Sequence, residues 1–129
     1  MSTNFLPPAP IRDPWGAHVW VEWFKNLRDF IMPKVEVIAP ATGFSATIAN
    51  STKYLISTTA TTLATGTIIM PAKPMDGQVV TIATRGIITT LTHSPNTGQS
   101  LRSPLVTTTV DLSAAWIYNA STSTWYRLY

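Results

Sequence analysis

Cysteine is absent from this chain of 129 residues, which excludes disulfide bonds, thiolate metal sites and cysteine nucleophiles. Charge is also scarce, because Asp, Glu, Lys and Arg make up only 12% of the sequence, about half the usual share. The net charge of +3 comes without any run of Lys or Arg that could follow a phosphate backbone. No apolar run approaches the roughly 20 residues of a membrane span, and the N-terminus lacks the pattern of a secretory signal. We therefore expect neither nucleic-acid binding nor membrane insertion.

Groups that could perform catalysis are equally few. A serine–histidine–acid set could use only His93 with Asp76 or Asp111, and no nucleophile signature supports it. No cluster of histidines or carboxylates predicts a metal site, and no glycine-rich loop predicts phosphate binding. We expect a protein without enzymatic activity, metal or cofactor, in which His93 is a surface residue beside a turn.

Residues 1–12 contain three prolines, Pro7, Pro8 and Pro10. Proline restricts the backbone and removes a hydrogen-bond donor at each position. We predict an extended arm that is either disordered or laid along a partner.

Residues 13–32 have the pattern of a single amphipathic helix. Asp13 suits the N-cap and Pro14 the first helical position, while Pro33 ends the pattern. Apolar residues recur at steps of three and four along one side. These residues are Trp20, Trp23, Phe24, Leu27, Phe30 and Ile31.

Residues 33–41 are interpreted as a linker and residues 42–129 as an all-β domain, because threonine and other β-branched residues favour strands. The predicted strands are 44–50, 53–57, 67–70, 78–84, 87–93, 105–110, 114–119 and 124–129. Turn sequences such as Pro74–Gly77 and Ser94–Gly98 separate them. The expected fold class is therefore mainly β: an arm and one helix, followed by an antiparallel β-sandwich or barrel-like domain.

Threonine alternates with aliphatic residues in several of these strands, as in Val80–Thr84. This alternation predicts one buried face and one face that is rich in hydroxyls but uncharged. Monomeric β domains usually protect their edges with Lys and Glu, and such residues are scarce here. We expect neighbouring copies of the chain to cover much of the domain.

Aromatic residues concentrate in the last two predicted strands. They are Trp116, Tyr118, Trp125, Tyr126 and Tyr129. Aromatic faces can stack on sugar rings, so Trp125 and Tyr129 are candidate glycan contacts. The alternative is that these rings form the core of the domain.

Several motifs follow one another in a fixed order from Thr65 onward: a strand ending in proline, a Pro-x-Asp-Gly-Gln turn, an alternating strand, a glycine-directed hairpin, a polar loop, an aromatic strand and a closing Thr-Trp-Tyr-Arg. Their positions are Met70-Pro71, Pro74–Gln78, Val79–Ala83, Gly86–Thr92, Asn96–Gln99, Trp116–Tyr118 and Thr124–Arg127. This half of the chain resembles a small β domain found in bacteriophage tail fibres and virion appendages. The proline-rich leader followed by "DPW" and "WVEWF" also looks like the start of phage appendage proteins.

The resemblance implies a parallel homotrimer on the exterior of a virion, on its tail or its capsid. In related proteins the leader attaches the fibre to the particle, so Pro7, Pro8, Pro10 and Trp15 are the candidate residues for contact with other virion proteins. Because the chain stops after the β domain, we expect a short tail fibre or a head or neck appendage. The alternatives are a capsid decoration protein, a module that binds glycans on the host surface, and a soluble host-side protein.

The resemblance also suggests how the helix is used. Three parallel helices could bury its six apolar residues as a heptad-like seam, and a helix of this length is marginal alone. A socket on the virion, or the chain's own β domain, could cover the same side instead.

Overall fold

The computed structural model describes residues 18–31 and 34–129. The chain divides into two compact units, Met1–Pro33 and Lys34–Tyr129. The described part of the first unit is one helix, α1 (His18–Ile31), and the second unit consists of strands and loops.

Helix α1 lies within the range predicted for it, and its aromatic rings pack on one another. The Trp20 and Trp23 ring centroids are 6.1 Å apart in an edge-to-face arrangement. The Phe24 ring lies 5.9 Å from Trp20 and 5.2 Å from Trp23. Phe24 is nevertheless 55% exposed. The predicted first turn of the helix, residues 13–17, lies outside the described residues.

Short strands build the second unit. They are β1 (Lys34–Ile38), β2 (Phe44–Thr47), β3 (Thr52–Ser57), β4 (Leu63–Ile69), β5 (Val79–Thr84), β6 (Ile88–Ser94), β7 (Ser100–Leu101), β8 (Leu112–Asn119) and β9 (Thr124–Arg127). One sheet has the strand order β1-β3-β5-β8-β9-β7, and the other has the order β2-β4-β6.

The first six strands alternate between the two sheets, so that β1–β2, β3–β4 and β5–β6 form three successive coils of a β-solenoid. Strands of neighbouring coils are parallel within each sheet. For example, Val37 pairs with Ile56, and Ile68 pairs with His93. Strands β8 and β9 then extend the larger sheet with antiparallel pairs.

The mainly β class with one helix is confirmed, but finer expectations are wrong. Strands β1 to β6 are parallel and do not form an antiparallel sandwich. The segment 33–41 contains strand β1 and is not only a linker, and residues 105–110 form no regular strand. Parallel and antiparallel strands both alternate their side chains with a period of two. The sequence pattern therefore could not reveal the direction of pairing.

The hydrophobic core lies between the two sheets. Trp116 and Trp125, on β8 and β9, are its largest fully buried side chains. Aliphatic residues from both sheets pack around them: Ile48, Leu55, Leu63, Ile68, Met70, Val80, Ile82, Ile88, Leu91 and Leu105. Burial of each such side chain stabilises the fold by roughly 1.5–3 kcal/mol. The aromatic side chains of β8 and β9 thus form one end of a core that is otherwise mostly aliphatic.

A five-residue sequence, Pro-x-x-Gly-Gln, occurs at Pro74–Gln78 and again at Pro95–Gln99. Gly77 and Gly98 have φ angles of 78° and 80°, a conformation that other residues disfavour. The backbone closes each turn in the same way, with the glutamine N–H donating to the carbonyl three residues earlier at 3.0 Å and 3.1 Å. Successive coils thus turn at equivalent positions, each with a glycine of positive φ and the same backbone hydrogen bond.

The glutamine of each repeat connects its coil to the preceding one. Gln78 Nε2 donates to the carbonyl of Asn50 at 2.8 Å. Gln99 Nε2 donates to the carbonyl of Pro71, also at 2.8 Å. Since these acceptors lie in the loop of the coil before, the two glutamines hold the stack of coils together at its loop side.

Candidate functional site

The outer face of the larger sheet is a candidate assembly surface, which we call the apolar sheet face. Its side chains alternate with core residues along each strand, and the sheet register places them side by side. It consists of Val35, Val37, Tyr54, Ile56, Val79, Thr81, Ala83, Ser113, Ala115, Ile117 and Tyr126. None of these side chains carries a charge.

Small side chains occupy the centre of the apolar sheet face. Thr81 and Ala115 pair with each other and are only 8% and 0% exposed, although they point outward. Larger side chains flank them, with Tyr54 paired to Thr81 on one side and Ile117 paired to Tyr126 on the other. The face is therefore a shallow apolar trough.

The margins of the apolar sheet face expose large hydrophobic side chains. Val37 on β1 is 63% exposed and Tyr126 on β9 is 39% exposed. Glu36 belongs to the opposite side of β1, where it accepts hydrogen bonds from the Ala49 N–H at 2.7 Å and from the Thr52 hydroxyl. The one carboxylate of this strand is thus kept off the face.

A groove of about 420 Å³ adjoins the apolar sheet face. Ile56 and Ala83 line both the groove and the face, and Leu112 adds further apolar surface. Arg85 and Asp111 contribute the charged groups of the groove. The groove continues the uncharged trough as far as the ends of β3 and β5. The charged side chains of Arg85 and Asp111 lie there.

The outer face of the smaller sheet has a different chemistry. Its outward residues, which pair across strands, are Ser45, Thr47, Thr65, Thr67, Ile69, Thr90, Thr92 and Ser94. The hydroxyl-rich face that the sequence predicts is found on this sheet. The larger sheet instead carries an apolar outer face.

The predicted glycan contacts have different surroundings. Trp125 is fully buried, its ring lies 5.0 Å from that of Tyr118, and its indole N–H donates to Gln99 Oε1 at 3.0 Å. It offers no ring face to a sugar, so its assignment as a glycan contact is wrong and the core alternative holds for it. Tyr129 is 62% exposed.

The residues predicted for virion attachment, Pro7, Pro8, Pro10 and Trp15, lie outside the described residues. The six residues predicted for the helix seam all lie in α1. Of these, Trp20, Trp23 and Phe24 form the ring cluster described above.

His93 is not the surface residue that the sequence suggested. It is 6% exposed, and its ring packs edge-to-face on Trp116 with 4.5 Å between centroids. Its Nδ1 accepts a hydrogen bond from the Leu105 N–H at 3.1 Å, and its Nε2 lies 3.2 Å from the Met70 sulfur. Burial, followed by the nearby charge of Arg127, lowers the pKa of His93 from 6.5 to about 4. Both ring nitrogens are engaged, so neither is available for a serine–histidine–aspartate set.

Other kinds of site find little support in the part of the chain that the structure describes. Across residues 18–31 and 34–129, no three side chains of the types that usually bind metal ions lie together. No helix within these ranges is long and apolar enough to cross a membrane. The apolar sheet face is the described surface from which the functional proposal is argued.

Comparison with known proteins leaves the family open. No protein-family model matches the chain, and no curated protein sequence matches it. The functional argument therefore starts from the surfaces of the molecule.

Sequence reasoning missed two groups of residues that matter here. Val35 and Val37 were placed in a linker, although the alternation of Lys34–Ile38 is that of a strand. Gln78 was assigned to a turn and to the start of a strand, and Gln99 to a polar loop, without a role in connecting coils. The repeat of Pro-x-x-Gly-Gln at a spacing of one coil was the signal that could have revealed the solenoid.

Proposed function

We propose that this protein is a structural, non-enzymatic component of a bacteriophage virion. In this proposal it forms a homotrimer, as a short tail fibre or a head or neck appendage. The arm and helix at its N-terminus attach it to other virion proteins, and the β-solenoid projects from the particle. The observation that carries the proposal is the uncharged apolar sheet face.

A monomer would be an unfavourable state for such a face. Contiguous exposed apolar surface usually marks an interaction site, and charged residues are the normal protection of a sheet that stays in water. Here the exposed valines of β1 and the exposed tyrosine of β9 border a trough that has no charge. Copies of the same chain are the partner that the resemblance to trimeric phage domains suggests.

The helix supports the same proposal independently. Trp20, Trp23 and Phe24 bring three rings into contact on one short helix, and Phe24 remains more than half exposed. A seam between three helices, or a socket on the virion, would bury them. Either arrangement attaches the proteins to one another through aromatic contacts.

Solution mass tests the assembly, and we expect the full chain to be a trimer by light scattering. The replacement Ile117→Lys is expected to give a monomer, because an unpaired charge buried in an apolar interface costs several kcal/mol. Thr67→Lys is the matched control, since both positions are half-buried, lie in mid-strand and face outward. The control should remain trimeric.

The two possible failures have different meanings. A monomeric full chain would contradict the fibre proposal, whereas a trimeric Ile117→Lys variant would show that the apolar sheet face is not the interface. A shorter chain should begin at Lys34, because a start at Ala41 would remove β1. If this shorter chain is trimeric, the solenoid suffices for assembly and the helix is available to the virion.

A capsid decoration protein would assemble through the same surfaces, and copy number distinguishes the two roles. Quantitative mass spectrometry of purified particles should give tens of copies or fewer for a fibre and many more for a decoration protein. The exposed ring of Tyr129 keeps a glycan-binding role as a second candidate. A glycan array that gives no response with the assembled protein would exclude it.

A further inference from the structure

The segment Pro104–Val110 runs along the open edge of β6, and we call it the strap. The residues on either side of it, Ser103 and Asp111, have φ angles of 51° and 55°. Residues other than glycine rarely adopt this left-handed conformation, because it brings the Cβ atom close to the following carbonyl oxygen. The strap is thus bounded by two residues with a strained backbone conformation. A change of φ at either residue would relieve this strain.

Hydrogen bonds hold the strap against β6. The Leu91 N–H donates to the carbonyl of Val106 at 2.9 Å, and the Thr108 N–H donates to the carbonyl of Ile88 at 3.0 Å. The Thr108 hydroxyl accepts from the Ile88 N–H at 2.7 Å and donates to the carbonyl of Gly86 at 3.1 Å. The strap therefore satisfies backbone groups that would otherwise form a free strand edge.

One further bond depends on protonation. The Leu105 N–H donates to His93 Nδ1 at 3.1 Å, which requires that this nitrogen carry no proton. If His93 gained a proton there, two N–H groups would face each other and the bond would be lost.

Among residues 18–31 and 34–129, the groups that contact or act on His93 include no anion that could stabilise its charged form. The neighbour from the end of β4 is Met70 and the neighbour from β8 is Trp116, neither of which titrates. The charged group that acts on His93 is Arg127 on β9. Its guanidinium lies 5.4 Å from the Trp116 ring centroid. A second positive charge is disfavoured at this position.

We propose that the strap is an acid-operated clasp: protonation of His93 breaks its bond to Leu105 and frees Pro104–Val110 to leave the edge of β6, turning about Ser103 and Asp111. The opened edge presents the Ile88 and Leu91 amides without partners, and a free strand edge is a template for pairing with another strand. The clasp is a property of one chain and does not rest on the trimer proposed above.

The direction of the pH effect follows from the two states. With the strap closed the pKa of His93 is about 4, and with the strap open the ring gains contact with water, so its pKa rises towards the ordinary value of 6.5. Above pH 6.5 both states are neutral, so opening does not depend on pH. Between 6.5 and 4 the open state binds a proton that the closed state does not, and opening rises by up to about tenfold per pH unit. Below pH 4 both states are protonated, and the total effect has an upper limit of about 300-fold.

Amide hydrogen exchange of the full chain by NMR tests the clasp. The protection factors of the Leu91 and Thr108 amides should fall roughly 100-fold between pH 7 and pH 4, while β5 amides should stay better protected than these two amides at both pH values. In His93→Gln the side-chain carbonyl still accepts a hydrogen bond but does not titrate, so the fall should disappear. In Thr108→Val the strap should open more readily at both pH values and keep the same ratio between them.

Three outcomes would overturn the clasp. Protection at Leu91 and Thr108 that is equal at pH 7 and pH 4 would show that the strap does not respond to acid. Protection in β5 that is no higher than at Leu91 and Thr108 would show that these amides exchange only when the whole domain unfolds. The same fall in His93→Gln would place the titrating group elsewhere. None of these measurements depends on whether the chain is a trimer or belongs to a virion.

Discussion

Replacing Trp116 with alanine is expected to lower the free energy of unfolding by about 3–5 kcal/mol, the largest effect that we predict for a single substitution. The side chain is fully buried, and its indole N–H donates to the carbonyl of Arg102 at 3.0 Å. Its ring supports His93 on one side and the Arg127 guanidinium on another. Alanine would leave a cavity and remove all three contacts at once.

Urea denaturation at a fixed protein concentration measures this loss, because the stability of an assembled protein depends on concentration. Tyr129→Ala is the control, since Tyr129 is also aromatic but is 62% exposed and does not belong to the apolar sheet face. Its effect on the chain itself should be about 1 kcal/mol or less. A Trp116→Ala variant that is as stable as the control would contradict the described core.

Replacing Gln99 with methionine is expected to cost about 2–3 kcal/mol. Methionine keeps the length of the side chain but has no strong donor or acceptor. The change leaves the buried indole N–H of Trp125 without its acceptor, Gln99 Oε1. It also removes the bonds that Gln99 Nε2 donates to the carbonyls of Pro71 and Ala72.

Gln78→Met is the matched comparison, because Gln78 occupies the same position of the preceding Pro-x-x-Gly-Gln repeat. Gln78 Nε2 also binds backbone carbonyls, those of Asn50 and Thr52, but no indole depends on its side-chain oxygen. We expect a loss of about 1 kcal/mol there. Equal losses for the two variants would mean that the bond to Trp125 contributes nothing to stability.

The aromatic strands illustrate how far sequence reasoning could go. The sequence placed Trp116 and Trp125 in strands, which is confirmed, and left open whether their rings were core or glycan contacts. Alternation alone cannot decide between these, because it says which residues share a face and not what lies against that face. His93 shows the same limit. A polar residue at the end of a strand suggested a side chain exposed to solvent, but Trp116 and the strap cover His93.

The helix, the strands and the turns were determined by local features of the sequence itself. The helix follows from steps of three and four between apolar residues, the strands from β-branched residues, and the turns from glycine, proline and their neighbours. The scarcity of charge, which drives the proposal of assembly, is also a property of composition. These features depend on residues that are close in the chain, so their physical causes can be read from the sequence.

The tertiary structure decided the rest. It placed β1, β3 and β5 side by side in parallel, although these strands are separated by whole coils of chain. That arrangement brings Val37, Ile56 and Ala83 into one row of the apolar sheet face, and it brings the strap against β6. Such contacts depend on where the chain goes after each turn, because strand alternation is the same for every direction of pairing. A period-two pattern therefore predicts a sheet, while the path of the chain determines which surface that sheet presents.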